Sequence, residues 1–105
     1  MTEDYFEVET PLGFSVSYTQ KQWDFIITEK HTVMAGQEEA VRETLRDPDE
    51  VRKSSKDERA FLFYKSRGNR YLCVVIKRTA TTVLLSTTYP TDAIKIGEVI
   101  WTRSK

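Results

Sequence analysis

The chain has 105 residues, 16 basic and 16 acidic side chains, 39% hydrophobic residues, one cysteine and one histidine. That length is the usual size of one domain, spanning 1–105, and a lone Cys73 with a lone His31 excludes an internal disulfide and a four-ligand Cys/His zinc cage. The neutral total hides a division: residues 1–59 hold 8 basic and 14 acidic side chains, and residues 60–105 hold 8 basic and 2 acidic.

The start, Met1-Thr2-Glu3-Asp4, lacks the basic stretch that opens a secretory signal, and no apolar run approaches the ~20 residues of a membrane span. A reduced, cytoplasmic, monomeric unit with no membrane partner is expected. Tyr5–Glu9 and Gly13–Ser17 alternate in the two-residue period of strands, and Pro11-Leu12-Gly13 between them suits a turn, which predicts a hairpin. From Thr19 to about His31 the period becomes helical. Thr19 can cap the start, and Trp23, Ile26, Ile27 and Lys30 share a stripe.

A second helix is predicted from about Gln37 to Arg46, with Ala40, Val41, Thr44 and Leu45 on one face; Asp47-Pro48-Asp49 stops it. Residues 49–57 are polar and read as a connection with at most a helical turn. Three β-rich runs follow, 59–66, 70–78 and 81–89, joined by the Arg67-Gly68-Asn69 and Thr79-Ala80 turns and ended by Pro90. Ile94, Ile96, Val99, Ile100 and Trp101 suggest a tail that packs on the domain edge. The predicted class is α+β: an N-terminal hairpin and two helices packed on a three- or four-stranded antiparallel meander, with Trp23, Ile27, Val41, Leu45, Leu72, Val74 and Ile76 in the core.

The four glycines are too dispersed for a phosphate loop, and no nucleophile elbow is present. No metal site and no cofactor are expected. His31 is the one side chain whose ordinary pKa suits proton transfer near neutrality, while Lys30 and His31 at a helix end also fit a C-terminal cap, which position alone favours. The Ser86-Thr87-Thr88-Tyr89 hydroxyls could bind phosphate oxygens, yet on these residues alone ordinary β propensity is the better account. The basic second half could face a polyanion, but composition alone favours the two halves simply pairing with each other.

The order Trp23, Lys30-His31, Leu45-Arg46-Asp47-Pro48-Asp49, Phe63-Tyr64-Lys65, Tyr71–Val75, Ser86–Tyr89, Lys95-Ile96-Gly97-Glu98 and Trp101 resembles the phage-type branch of the barnase/EndoU/colicin-D/RelE-like nuclease superfamily. The match covers roughly residues 20–101; Thr32 stands where proline is frequent after the histidine. The resemblance implies a barnase/RelE-like domain and metal-independent RNA cleavage, in which the 2′-hydroxyl attacks the adjacent phosphate. His31 would act as base or acid. Lys30, Arg59 or Lys65 would neutralise the phosphorane, Thr87, Thr88 or Tyr89 would hydrogen-bond it, and Arg70 would join Arg59 and Lys65 in holding RNA. RNA and an antitoxin or immunity protein are the implied partners. Two alternatives stand beside this reading: an inactive RNA- or protein-binding module on the same fold, and an interaction protein that uses Ile94–Trp101 as its surface.

Overall fold

The structure, a computed structural model, describes residues 5–94 and 97–103; Met1–Asp4, Lys95, Ile96 and the last two residues lie outside that description. Strands β1 (Tyr5–Glu9) and β2 (Ser15–Thr19) form the expected antiparallel hairpin, with Val8 opposite Val16 and Gly13 at φ +89° in the turn. Helix α1 (Gln20–Phe25) follows β2 directly and runs into a π turn, Ile26–Lys30. A 3₁₀ turn, Thr32–Met34, then leads to α2 (Glu38–Arg46), whose Val41, Thr44 and Leu45 are buried as the stripe predicts.

Strands β4 (Ala60–Arg67), β5 (Arg70–Arg78) and β6 (Val83–Thr91) are consecutive antiparallel neighbours, as their alternation and tight turns require. The rest of the sheet differs from expectation. Residues 50–54 form strand β3 (Glu50–Ser54) rather than a polar connection, with Val51 fully buried and Glu50, Arg52 and Lys53 partly buried around it. The tail packs on the domain edge as strand β7 (Gly97–Thr102), antiparallel to β3. Pro90 does not end β6. It pairs with Leu72 inside the strand, on a stretch whose other side has no partner strand among the described residues and so needs no proline N–H.

The result is one mixed seven-stranded sheet in the order β1-β2-β6-β5-β4-β3-β7, not a short meander with a separate hairpin packed on it. The hairpin joins through a parallel contact of β2 with β6, at Ser17 opposite Leu84. The class is α+β.

The helices cover one face of the sheet. Trp23, Val41, Leu45, Leu72, Val74 and Ile76 are buried there as expected, together with Ile26, Phe63 and Leu85, while Ile27 is partly buried. The opposite face carries a smaller cluster of Leu62, Tyr64 and Cys73, flanked by Tyr71, Val75, Tyr89 and Ile94. Much of the charge division is settled inside the molecule. Lys65 and Arg103 reach Asp47, Arg103 also reaches Asp49, and Lys77 reaches Asp57, all within 4 Å. No helix among the described residues is long and apolar enough to cross a membrane.

Candidate active site at the edge of strand 6

Two local irregularities meet where α1 passes β6. The first is in the helix. Thr19 and Gln22 cap its start reciprocally: Gln22 N–H donates to Thr19 Oγ1 at 3.1 Å, and Thr19 N–H donates to Gln22 Oε1 at 2.7 Å. The helix then widens, with His31 N–H donating to the Ile26 carbonyl five residues back at 2.8 Å. That extra residue in the turn shifts the helical phase, so Lys30 and His31 leave the buried stripe of Trp23 and Ile26. Lys30 is exposed and His31 partly so.

The second irregularity is a β-bulge. Leu85 lies opposite Ile76 and Thr87 opposite Val75, which leaves Ser86 as the extra residue of β6. Its carbonyl accepts a hydrogen bond from Lys30 Nζ at 3.2 Å. Three residues further on, the Tyr89 ring lies against the His31 imidazole, with centroids 5.3 Å apart and planes inclined by 38°. The shifted turn and the bulge thus bring Lys30-His31 and Ser86–Tyr89 together across 56 positions of sequence.

The three hydroxyls expected to meet phosphate are placed otherwise. Thr88 is fully buried and donates to the Cys73 carbonyl at 2.8 Å, because alternation turns it with Val74 towards the helices. Thr87 and Tyr89 face the other side of the sheet, and both hydroxyl oxygens are buried. Burial, with the Cys73 thiol alongside, pushes the Tyr89 phenol above the usual tyrosine range, so it stays neutral. Its ring, rather than its hydroxyl, is what His31 meets.

The basic residues expected to hold RNA do not converge on this edge. Arg59 is exposed at the start of β4 and pairs with Asp57 at 3.3 Å. Lys65 Nζ donates to the Asp47 carbonyl at 2.8 Å, and Arg70 pairs with Asp92 at 2.7 Å. Lys65 and Arg70 line a cavity of about 810 Å³ between α2 and the β4–β5 turn, and Arg59 lies six residues from Lys65 along the strand, about 20 Å away. Among the described residues no three His, Cys, Asp or Glu side chains gather as a metal-binding group.

Phe25 is a residue that the sequence reading passes over. Trp23, buried in the helical stripe, is 3% exposed, whereas Phe25 is 53% exposed beside Lys30. The signal is present in the spacing: two residues from Trp23 on a helix is about 200° away, on the opposite face. Comparison of the chain with models of protein families, with curated proteins and with solved structures finds no match in any of the three.

Proposed function

We propose that the β6 edge is the active site of a metal-independent endoribonuclease, or toxin-like RNA-cleaving domain, of the barnase/RelE-like kind. The observation that carries this reading is the convergence of His31 on Tyr89 and of Lys30 on the Ser86 carbonyl, at a π turn and a bulge. Such irregularities recur at functional sites because they re-aim side chains at a cost that regular structure avoids. In this reading His31 removes the proton of the 2′-hydroxyl as that oxygen attacks phosphorus. The bond to the 5′-oxygen then breaks, leaving a 2′,3′-cyclic phosphate, and the 5′-oxygen takes a proton from a protonated imidazole or from water. Lys30, on a flexible stem, supplies positive charge to the phosphorane. Tyr89 is a positioning residue, since its ring fixes the imidazole while its hydroxyl stays inside.

Burial of the Thr87, Thr88 and Tyr89 hydroxyls favours a second reading, in which the same edge binds RNA or protein without cleaving. Incubation of the purified protein with labelled transfer and messenger RNA in EDTA decides between them. Fragments ending in cyclic phosphate support cleavage. Retention of RNA without fragments supports the silent module, and activity that EDTA abolishes overturns the proposal.

A further inference from the structure

The large apolar side chains exposed among the described residues are Phe25, Val33, Leu84 and Val99, and two of these four, Phe25 and Leu84, line one concavity beside Ser86. Phe25 and Leu84 face each other across a notch of about 630 Å³ between α1 and β6, which Lys21, Gln22 and Ser86 also line. Scattered exposed apolar residues need no explanation, but Phe25 and Leu84 sit together in a concavity whose Ile26 opens the π turn that ends at His31. The Lys30 ammonium lies 5.7 Å from the Phe25 ring centroid while it holds the Ser86 carbonyl, so one cation joins the notch to the candidate site.

A half-exposed aromatic ring with Lys21 in its notch and Lys30 beside it matches a particular chemistry. Unpaired nucleobases present flat π faces, each attached to a negatively charged phosphate, and proteins that take single strands combine aromatic platforms with basic side chains. We propose that Phe25 is a stacking platform for one unpaired nucleobase of a single-stranded RNA, seated in the notch with its phosphate on Lys30. This inference rests on the reading of the β6 edge as an RNA site, and it specifies the substrate as single-stranded. Duplex RNA is excluded, because its bases are stacked on one another and leave no free face for the ring. Lys21, one helical turn before Phe25 on the same face of α1, also lines the notch and would meet a neighbouring phosphate.

The test uses a fluorescein-labelled single-stranded 2′-O-methyl oligonucleotide of mixed sequence, which cannot be cleaved, and the same strand annealed to its complement. Anisotropy titrations compare the unmodified protein with Phe25→Ala. Loss of one base stack should weaken single-strand binding by about 5- to 150-fold and leave duplex binding unaltered. Phe25→Trp should bind the single strand at least as tightly, and its added indole fluorescence should be quenched by the single strand but not by the duplex. Because Phe25 is half exposed, neither variant removes core packing. Phe25→Ala binding the single strand as well as the unmodified protein, or an added indole signal in Phe25→Trp that is blind to the strand, overturns the stacking role while leaving His31-dependent cleavage intact. An unmodified protein that neither binds nor cleaves RNA overturns both.

Discussion

The imidazole of His31 packs on the ring of Tyr89, and its side chain makes no capping hydrogen bond to the 3₁₀ turn that it opens. What closes the preceding helix end is the His31 backbone, through its N–H to the Ile26 carbonyl. The side chain is therefore dispensable for the turn, and the turn is what aims it.

If this edge cleaves RNA as proposed, His31→Ala should lower cleavage by ~10²–10⁴-fold with little change in melting temperature. Initial rates on labelled RNA, alongside thermal unfolding, check both halves. A melting temperature that falls in a protein with no cleavage to lose would return His31 to the role of a helix cap.

Alkali should destabilise the protein from about pH 10 upwards. Burial raises the phenol pKa of Tyr18, with the Glu38 carboxylate hydrogen-bonded to it as the next cause, and burial likewise raises that of Tyr89. Unfolding returns both to their ordinary value near 10, where they release protons. The unfolded chain then binds fewer protons than the folded one, so stability present below about pH 10 is lost as pH rises. Urea unfolding at stepped alkaline pH should show this decline, and Tyr18→Phe with Tyr89→Phe should flatten it.

Acid should act through Asp57, held at about 2 by the Arg59 backbone N–H first, then by the Arg59 side chain and Lys77. Its folded value lies below the ordinary 3.8, so its contribution is present above about pH 4 and is lost as pH falls through about 2. Asp57 also closes the β3–β4 turn, accepting from Arg59 N–H at 2.9 Å while its own N–H donates to Ser54 Oγ. Asp57→Asn should show a shallower acid limb than the unmodified chain in denaturant titrations.

Gly97→Ala should destabilise by about 1–3 kcal/mol, the usual cost of overpacking. A Cβ at Gly97 would run into the Lys53 backbone carbonyl across the β3–β7 pair, and backbone cannot yield as a side chain does. Chemical denaturation measures the loss; a value near zero would mean that β7 shifts along β3 freely.

The parts of this architecture legible in the sequence are those set by neighbours. The hairpins β1–β2 and β4–β5–β6 follow from alternation and turn residues, and both helices follow from their stripes. Strand β3 is hidden because Val51 alone carries its inward signal among Glu50, Arg52 and Lys53. The β2–β6 contact depends on two residues 67 positions apart and has no local signature. At the candidate site, Lys30-His31 and the Ser86–Tyr89 segment stand out by residue type, and the fold sets them side by side. Which hydroxyls the segment offers is not legible, because alternation gives two faces without saying which is covered. The π turn, which frees Lys30 from the stripe, also lacks a mark in the residue types around it.

The junction between β2 and β6 also bears on how the protein loses its site. Lys30 and His31 follow a hairpin and helix whose strand pairing with β6 is a single register position, supplemented by side-chain packing, while Tyr89 belongs to a β5–β6 ladder of eight. Sub-global opening across the weaker boundary separates imidazole from phenol while the central ladder stays intact. If the edge cleaves RNA as proposed, cleavage should thus fade at denaturant concentrations where the far-ultraviolet signal of the sheet is still native, and amides of β5 should outlast those of α1 in hydrogen exchange.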